Sequence, residues 1–294
     1  MAEDLIVTRE IAQLPKRSDD AHKGQVGRVV VIGGCYGDTV MIGAPALAAN
    51  AAFRAGAGLV RLVVPHELRV SVGVLAPCAT MQSLPTSSRD LLQCVDRFKP
   101  DVVAIGPGLG LSLDALVIAE FLAGYGGPIV VDADALNQLA TIDSLNLSSP
   151  RRIVFTPHPG EAKRLLGVDV QEASSTSVSD ARHDLATSLT DRYGCTIVLK
   201  GRETIVTNGD RIYTNETGNA GMATGGTGDV LTGLIAGLIG QKMEPIEAAI
   251  LGTYLHGLAG DFASEELGRL SMTATDVLDY LPEAFGEHEV SQNE

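Results

Sequence analysis

One figure recurs through the first two thirds of the chain and limits the folds open to it. A short β-branched or aliphatic run ends in glycine or a polar turn, and a helical stretch leads to the next run. Arg28-Val29-Val30-Val31-Ile32 runs into Gly33-Gly34. The figure returns at 59–65, at 101–105 before Gly106-Pro107-Gly108-Leu109-Gly110, and at 128–132. It appears again at 152–156 before Pro157-His158-Pro159, and at 195–200 before Gly201. Isolated strands that alternate with helices need crossover connections, which make the strands parallel and place helices on both faces of the sheet. Helices are expected over 42–55, 112–123, from Asp134, 180–193, from the glycine-rich 218–233 segment to Lys242, 247–263 and 274–280. The first carries six alanines between Ala44 and Ala52, small enough for close packing on a sheet. Asn208-Gly209 joins the runs 203–207 and 211–214 and predicts a hairpin. Residues 171–180 read as a surface loop, 1–20 as a lead-in and 283–294 as a frayed polar tail. With neither a repeat nor a convincing linker, 1–294 reads as one domain.

Composition agrees with such a sheet. Hydrophobic residues make up 45% of the chain, aromatics only 4%, and tryptophan is absent, so the core must be aliphatic. A net charge of −14 argues against nucleic-acid phosphates or an anionic membrane as partners. Cys35, Cys78, Cys94 and Cys195 form no CxxC pair, which fits reduced thiols better than zinc or disulfides. The acidic N-terminus is unlike a signal peptide, and the longest apolar run, 230–240, contains Thr232 and is too short to span a bilayer. A soluble cytoplasmic protein is expected.

In open α/β sheets, ligands bind outside the carboxyl ends of the strands. The turns found there include Gly33-Gly34, 106–110, Asp132-Ala133-Asp134, 156–161 and Lys200-Gly201, and the 218–233 segment adds six glycines in sixteen residues. Each has a plain structural explanation: Gly is ordinary turn chemistry, Asp134 could be a helix cap, and His158 could be a loop residue. Together they outline a site. The P-loop, Rossmann, GxSxG and HExxH patterns are absent. What remains is a glycine nest opening a helix, an anion site by its amides and dipole, with Asp229 inside it. That carboxylate is either a helix-dipole partner or a general base beside a transferring phosphoryl group. Gly225, Gly226 and Gly228 would donate backbone N–H groups to the phosphate.

Gly-Gly-Thr-Gly-Asp at 225–229 resembles the anion hole of ribokinase-like kinases. The longer stretch 219–231 resembles the signature of the NAD(P)H-hydrate dehydratases. Lys23-Gly24, Gly106-Pro107-Gly108, 131–136, 156–161 and Leu199-Lys200-Gly201 follow that family in order, so the resemblance covers roughly residues 20–280. It implies a ribokinase-like three-layer α/β/α sandwich with a mostly parallel central sheet and a late β-hairpin. It also implies repair of hydrated NADH or NADPH: phosphorylation of the ring hydroxyl by ADP or ATP, then loss of phosphate, with ADP the expected donor and the S epimer the expected substrate.

Under the same resemblance, Asp229 is the base and Gly225, Gly226, Thr227 and Gly228 form the anion hole. Lys200, Gly201, Arg202, Glu203, Thr204 and Gly228 take the AMP/ADP side, while Ala44, Gly108, His158 and Asp229 face the hydrated cofactor. Mg²⁺ is implied as a phosphate partner without a marked protein cage, and a homo-oligomer, in tetramer form, is expected. About twenty residues precede the first motif, so the epimerase activity fused in many relatives is expected on a separate chain. Cys35-Tyr36-Gly37-Asp38 departs from the Ser/Gly-rich loop of the family. Two other readings stay open: a ribokinase-like kinase for a vitamin precursor or sugar, which would keep its phosphorylated product, and an idle nucleotide sensor.

Overall fold

The computed structural model describes residues 6–168 and 178–292. Ten strands form one sheet: β1 (Ile6–Thr8), β2 (Arg28–Ile32), β3 (Leu59–Val64), β4 (Thr80–Ser83), β5 (Val102–Ile105), β6 (Ile129–Val131), β7 (Ile153–Phe155), β8 (Thr196–Leu199), β9 (Ile205–Thr207) and β10 (Arg211–Thr214). Their order across the sheet is β1-β10-β9-β8-β7-β6-β5-β2-β3-β4. Every pairing is parallel except those of β9, which runs antiparallel to both neighbours. The β9–β10 pair is the hairpin expected around Asn208-Gly209. The Asn208 side chain accepts from the amides of Asp210 and Arg211 and so closes the turn.

The two faces of the sheet are chemically unequal. Val29, Val102, Ala104, Val130, Val154 and Val198 face one side; Val30, Ile105, Ile129, Phe155, Ile197 and Leu199 face the other. Over β2 and β5–β8, period-2 alternation sends only Val and Ala to the first layer and every Ile, Leu and Phe to the second, which also takes Val30, Val103 and Val131. The small face carries α1 (Gly43–Arg54), α2 (Arg69–Leu75) and three late helices. The bulky face carries α3 (Ser88–Phe98), α4 (Ala115–Gly124), α5 (Ala133–Leu139), α6 (Pro159–Leu166) and α7 (Val178–Tyr193). The late helices are α8 (Thr227–Gly240), α9 (Pro245–Leu267) and α10 (Ala274–Ser291). Every residue of α8 from Val230 to Gly240 is buried. The helix lies in the middle of its layer, where the Ala-rich α1 packs on Gly233 and Gly237 as well as on the sheet.

Several expectations need correction. The lead-in is not featureless: Ile6–Thr8 pairs in parallel with β10 and supplies one edge of the sheet. The frayed tail expected over 283–294 is instead helical to Ser291, although Pro282 lies inside α10. Burial of Leu281, Ala284 and His288, with a contact between His288 Nε2 and the Ala12 carbonyl at 3.0 Å, holds it against the core. The segment after Phe155 does not simply close a strand: Pro159 is the first residue of α6, a position where its missing N–H costs nothing. Of the loop expected over 171–180, residues 171–177 lie outside the described residues, and α7 begins at Val178.

Candidate active site

Strand order reverses at β2, which sends its chain to β3 on one side and has β5 on the other. A crevice at such a switch point is the standard ligand position in this class of sheet. Here the loops after β2, β5 and β6 touch through their backbones. The Gly34 amide donates to the Pro107 carbonyl at 2.9 Å. A Cβ at Gly106, where φ is +125°, would lie 1.8 Å from the Asp132 carbonyl oxygen. Only glycine permits that approach and that conformation together. One loop further, the Ala44 Cβ lies 2.9 Å from the position a Cβ would take at Gly108, so these two predicted residues form one wall. The Cys35 loop closes on the same wall: a Cβ at Gly110 would meet the Cys35 Cβ at 2.9 Å.

The start of α8 packs beside α1, where a Cβ at Gly226 would lie 2.7 Å from Leu47 Cδ1. Gly226, with φ +99°, is its N-cap and places no side chain on the first amides. The first amide bonded back into the helix is that of Val230, to the Gly226 carbonyl at 3.1 Å; among the described residues, the amides of 225–229 donate no backbone hydrogen bond. A cluster of free amides at the positive end of a fourteen-residue helix is an anion site. The space above it is open, since a Cβ at Gly225 would meet nothing within 4 Å. Thr227 contributes only its backbone here. Its hydroxyl lies 3.0 Å from the carbonyls of both Met222 and Thr224 and so ties down the preceding turn.

Asp229 sits in the first turn. Burial, and then the negative charge of Asp132, raises its carboxyl to about 7; Lys200 pulls it down and Asp134 adds to the rise. A carboxylate with that value is matched to proton transfer at neutral pH, which an exposed helix-dipole partner is not. Below it, Asp132 is 1% exposed and accepts from Lys200 Nζ and from Thr232 Oγ1, each at 2.6 Å. Burial opposes the charge on Lys200, but Asp132, Glu161 and Asp229 outweigh it and hold the ammonium's pKa above its ordinary value. Its Nζ lies 3.3 Å from the position of a Cβ at Gly228, directly beside the anion site.

The remaining predicted residues separate into two groups. Gly201, Arg202, Glu203 and Thr204 form the turn after β8. Arg182 braces that turn, its guanidinium donating to the carbonyls of Leu199, Lys200 and Arg202. The Thr204 hydroxyl is held by the Gly201 carbonyl at 2.9 Å. Arg202 and Glu203 point outward as a surface pair 3.8 Å apart and do not converge on Asp229. His158, by contrast, is the N-cap of α6. Its Nδ1 accepts from the amides of Gly160 and Glu161, while Glu161 Oε2 accepts from the His158 amide at 2.8 Å, completing a capping box. Burial, Lys200 and Arg164 push the imidazole's pKa down against the opposing pull of Asp132. With Nδ1 accepting, the neutral ring carries its proton on Nε2, which lies 3.5 Å from Glu161 Oε1 and is held in place as a donor.

That geometry makes a separable prediction. Asn is an equally good N-cap, so His158→Asn should leave the melting temperature nearly unchanged while weakening about tenfold any ligand that accepts from Nε2, the loss of one hydrogen bond. His158→Ala should also destabilise the fold by about 0.5–2 kcal/mol. Wild-type kinetics for His158→Asn would reduce His158 to a cap.

Four residues of the site belong to none of the roles expected from sequence: Asp132, Thr232, Arg182 and His256. The last is buried and neutral, its pKa pushed down to about 4 by burial, and its Nε2 lies 2.9 Å from the Thr227 carbonyl. The signal that could have found two of them is a polar residue in an apolar element: Thr232 in 230–240 and His256 in 247–263.

A three-layer sandwich with an anion site at the N-terminus of a late helix, facing the switch point of a mostly parallel sheet, defines a ribokinase-like protein. The profile of the NAD(P)H-hydrate dehydratase family matches residues 29–283, and the chain belongs to that family. It is 44% identical over 283 residues to the bifunctional NAD(P)H-hydrate repair enzyme Nnr of Moorella thermoacetica, covering 92% of this chain and 51% of that protein. The chain thus spans about half the length of the bifunctional relatives it matches. It is 38% identical to the ADP-dependent (S)-NAD(P)H-hydrate dehydratase of Neisseria meningitidis serogroup B, covering 86% of this chain and 82% of that one. Among solved structures, the ADP/ATP-dependent NAD(P)H-hydrate dehydratase of Bacillus subtilis, co-crystallized with ATP/Mg²⁺, superposes with a TM-score of 0.77 at 28% identity, covering 94% of this chain and 95% of the other.

Proposed function

We propose that the chain returns the S epimer of hydrated NADH or NADPH to the reduced cofactor, with ADP as phosphoryl donor and AMP and phosphate as co-products. The observation that carries this reading is Asp229, a carboxyl raised to about 7 in the first turn of a helix whose amides are free for an anion. In the proposed reaction, Asp229 takes the proton of the ring hydroxyl as its oxygen attacks the β-phosphorus of ADP. The bond from phosphorus to the AMP oxygen breaks. The free amides over 225–229 and the Lys200 ammonium take up charge developing on the phosphoryl oxygens. Phosphate is a far better leaving group than hydroxide. The carbon–oxygen bond then breaks, a proton leaves the adjacent ring carbon, and the ring double bond is restored. Ala44 and Gly108 would shape the wall for the ring, and His158 Nε2 would donate to the substrate. Lys200 to Thr204, with Gly228, would hold the nucleotide side.

The residues do not fit a resident Mg²⁺. Among the described residues no three His, Cys, Asp or Glu side chains converge on a metal position, and the Asp132 oxygens already accept from Lys200 and Thr232. Mg²⁺ enters the proposal only as a companion of the nucleotide's phosphates, and no step depends on it. An epimerase, on whatever polypeptide carries it, would be the functional partner, and a homotetramer remains part of the proposal, to be checked by light scattering. No helix among the described residues is long and apolar enough to cross a membrane.

The test is to mix the purified S hydrate with ADP and follow the return of dihydronicotinamide absorbance. One AMP and one phosphate should appear per cofactor restored, and the R hydrate should not react. Phosphorylation of a thiazole or pyrimidine alcohol, with no recovery of the hydrate, would replace this reading by a kinase. The pH dependence has a definite sign: Asp229 is protonated, and unable to accept the hydroxyl proton, below its value of about 7. The rate at limiting substrate should therefore fall about tenfold per pH unit below that point.

A further inference from the structure

The proposed reaction uses Asp229, the glycine amides and the Lys200 ammonium. It gives no part to the buried carboxylate beneath them. Asp132 is 1% exposed, and Thr232, on α8, is fully buried. Thr232 follows Asp229 by three residues, so both side chains lie on one face of that helix. Its hydroxyl donates to Asp132 Oδ2 at 2.6 Å, while Lys200 Nζ donates to Asp132 Oδ1 at 2.6 Å. Three elements are thereby joined: the end of β6, the end of β8 and the first turns of α8.

We propose that Asp132 and Thr232 are positioning residues that aim the Lys200 ammonium at the phosphoryl group over Gly228, where the proposed reaction needs its charge. The argument is geometric. A lysine stem is long and flexible, and its ammonium stabilises transferring charge only if it is held at one point. Asp132 supplies that point, and it cannot swing because Thr232 holds its second oxygen. The ammonium ends beside Gly228, 3.3 Å from where a side chain would begin, so the same glycine that frees an amide also leaves room for the cation. The alternative is a buried ion pair that only neutralises Asp132. In that view the Thr232 hydroxyl only satisfies the second oxygen of a buried carboxylate, and any loss of turnover should follow the loss of stability.

This inference rests on the proposed reaction, and its test separates the two. Thr232→Val, Thr232→Ser and Asp132→Asn are compared with wild type by turnover and by calorimetric binding of inorganic phosphate in the presence of AMP. Misplacing a catalytic group by ~1 Å costs ~10²-fold, so kcat should fall about 10²-fold in Asp132→Asn and about tenfold in Thr232→Val, with the ADP dissociation constant within about threefold of wild type. Phosphate binding beside AMP should weaken in parallel, and Thr232→Ser should restore both. Thr232→Val with full turnover and unchanged phosphate binding would overturn the positioning role, as would losses explained entirely by a lower melting temperature. If wild type fails to restore the hydrate, the proposed reaction is wrong; the phosphate arm still decides whether Asp132 and Thr232 aim Lys200 at an anion.

Discussion

Asp229→Asn should lower turnover by ~10²–10⁴-fold, the usual range for a lost general base, while leaving ADP affinity nearly intact. The same substitution should stabilise the protein above neutral pH. A carboxyl raised from its ordinary 3.8 to about 7 binds its proton more tightly in the folded chain than in the unfolded one. Between those values the native state holds the extra proton, so wild-type stability falls as pH rises from about 4 through about 7. The substituted amide carries no such charge, and the variant's melting temperature should exceed that of wild type at pH 8, the gap closing near pH 4. Loss of activity with gain of stability separates a base held at a cost to the fold from a residue that only completes it. An active Asp229→Asn enzyme would remove the base from the mechanism. An inactive and destabilised one would mean that Asp229 supports the helix rather than the chemistry.

The largest effect on stability is expected at Gly233. Alanine in the middle of a helix gains about 1 kcal/mol over glycine in local preference. Here its Cβ would lie 2.0 Å from the Ala48 carbonyl oxygen and 2.6 Å from the carbonyl carbon. Both are backbone atoms of α1, which cannot turn aside as a side chain would. Overpacking of this kind costs about 1–3 kcal/mol or more, and separating α1 from α8 also disturbs the anion site at the head of α8. Gly233→Ala should therefore lower the urea midpoint despite the better helix former, and it should reduce activity as well. Gly225→Ala is the contrast: no atom within 4 Å meets its Cβ, so stability should be unchanged while the methyl fills the space over the amides and turnover drops. Equal stability losses in the two variants would contradict the packing account.

These sites are unequally visible in the sequence. The central strands declare themselves as unbroken aliphatic runs because they are covered on both faces, and the turns that end them carry the glycines the switch point needs. The edges do not. β1 is three residues long and has meaning only against β10; β4, with pattern Thr-Met-Gln-Ser, alternates exposure and shows no apolar run. α6 hides behind its prolines because its cap is a histidine, a residue outside the usual capping set. Pro282 reads as a stop, yet burial of Leu281, Ala284 and His288 carries α10 past it.

The site shows the same division. Asp229 and its glycines are contiguous, so a single stretch reveals them. Lys200 and Thr232 lie 68 and 100 residues along the chain from Asp132, and only the folded sheet brings the three together. Thr232 in an apolar helix signals a buried partner, and the identity of that partner requires the structure.

The central claim is that a phosphoryl group passes through the glycine nest onto the ring hydroxyl and then leaves. A rapid-quench experiment with ADP labelled in its β-phosphate and the S hydrate tests this most directly. The label should move into free inorganic phosphate at the rate at which dihydronicotinamide absorbance returns, one for one, with AMP as the other product. Recovery of the reduced cofactor with ADP unconsumed, or label held in a stable phosphorylated product, would contradict it.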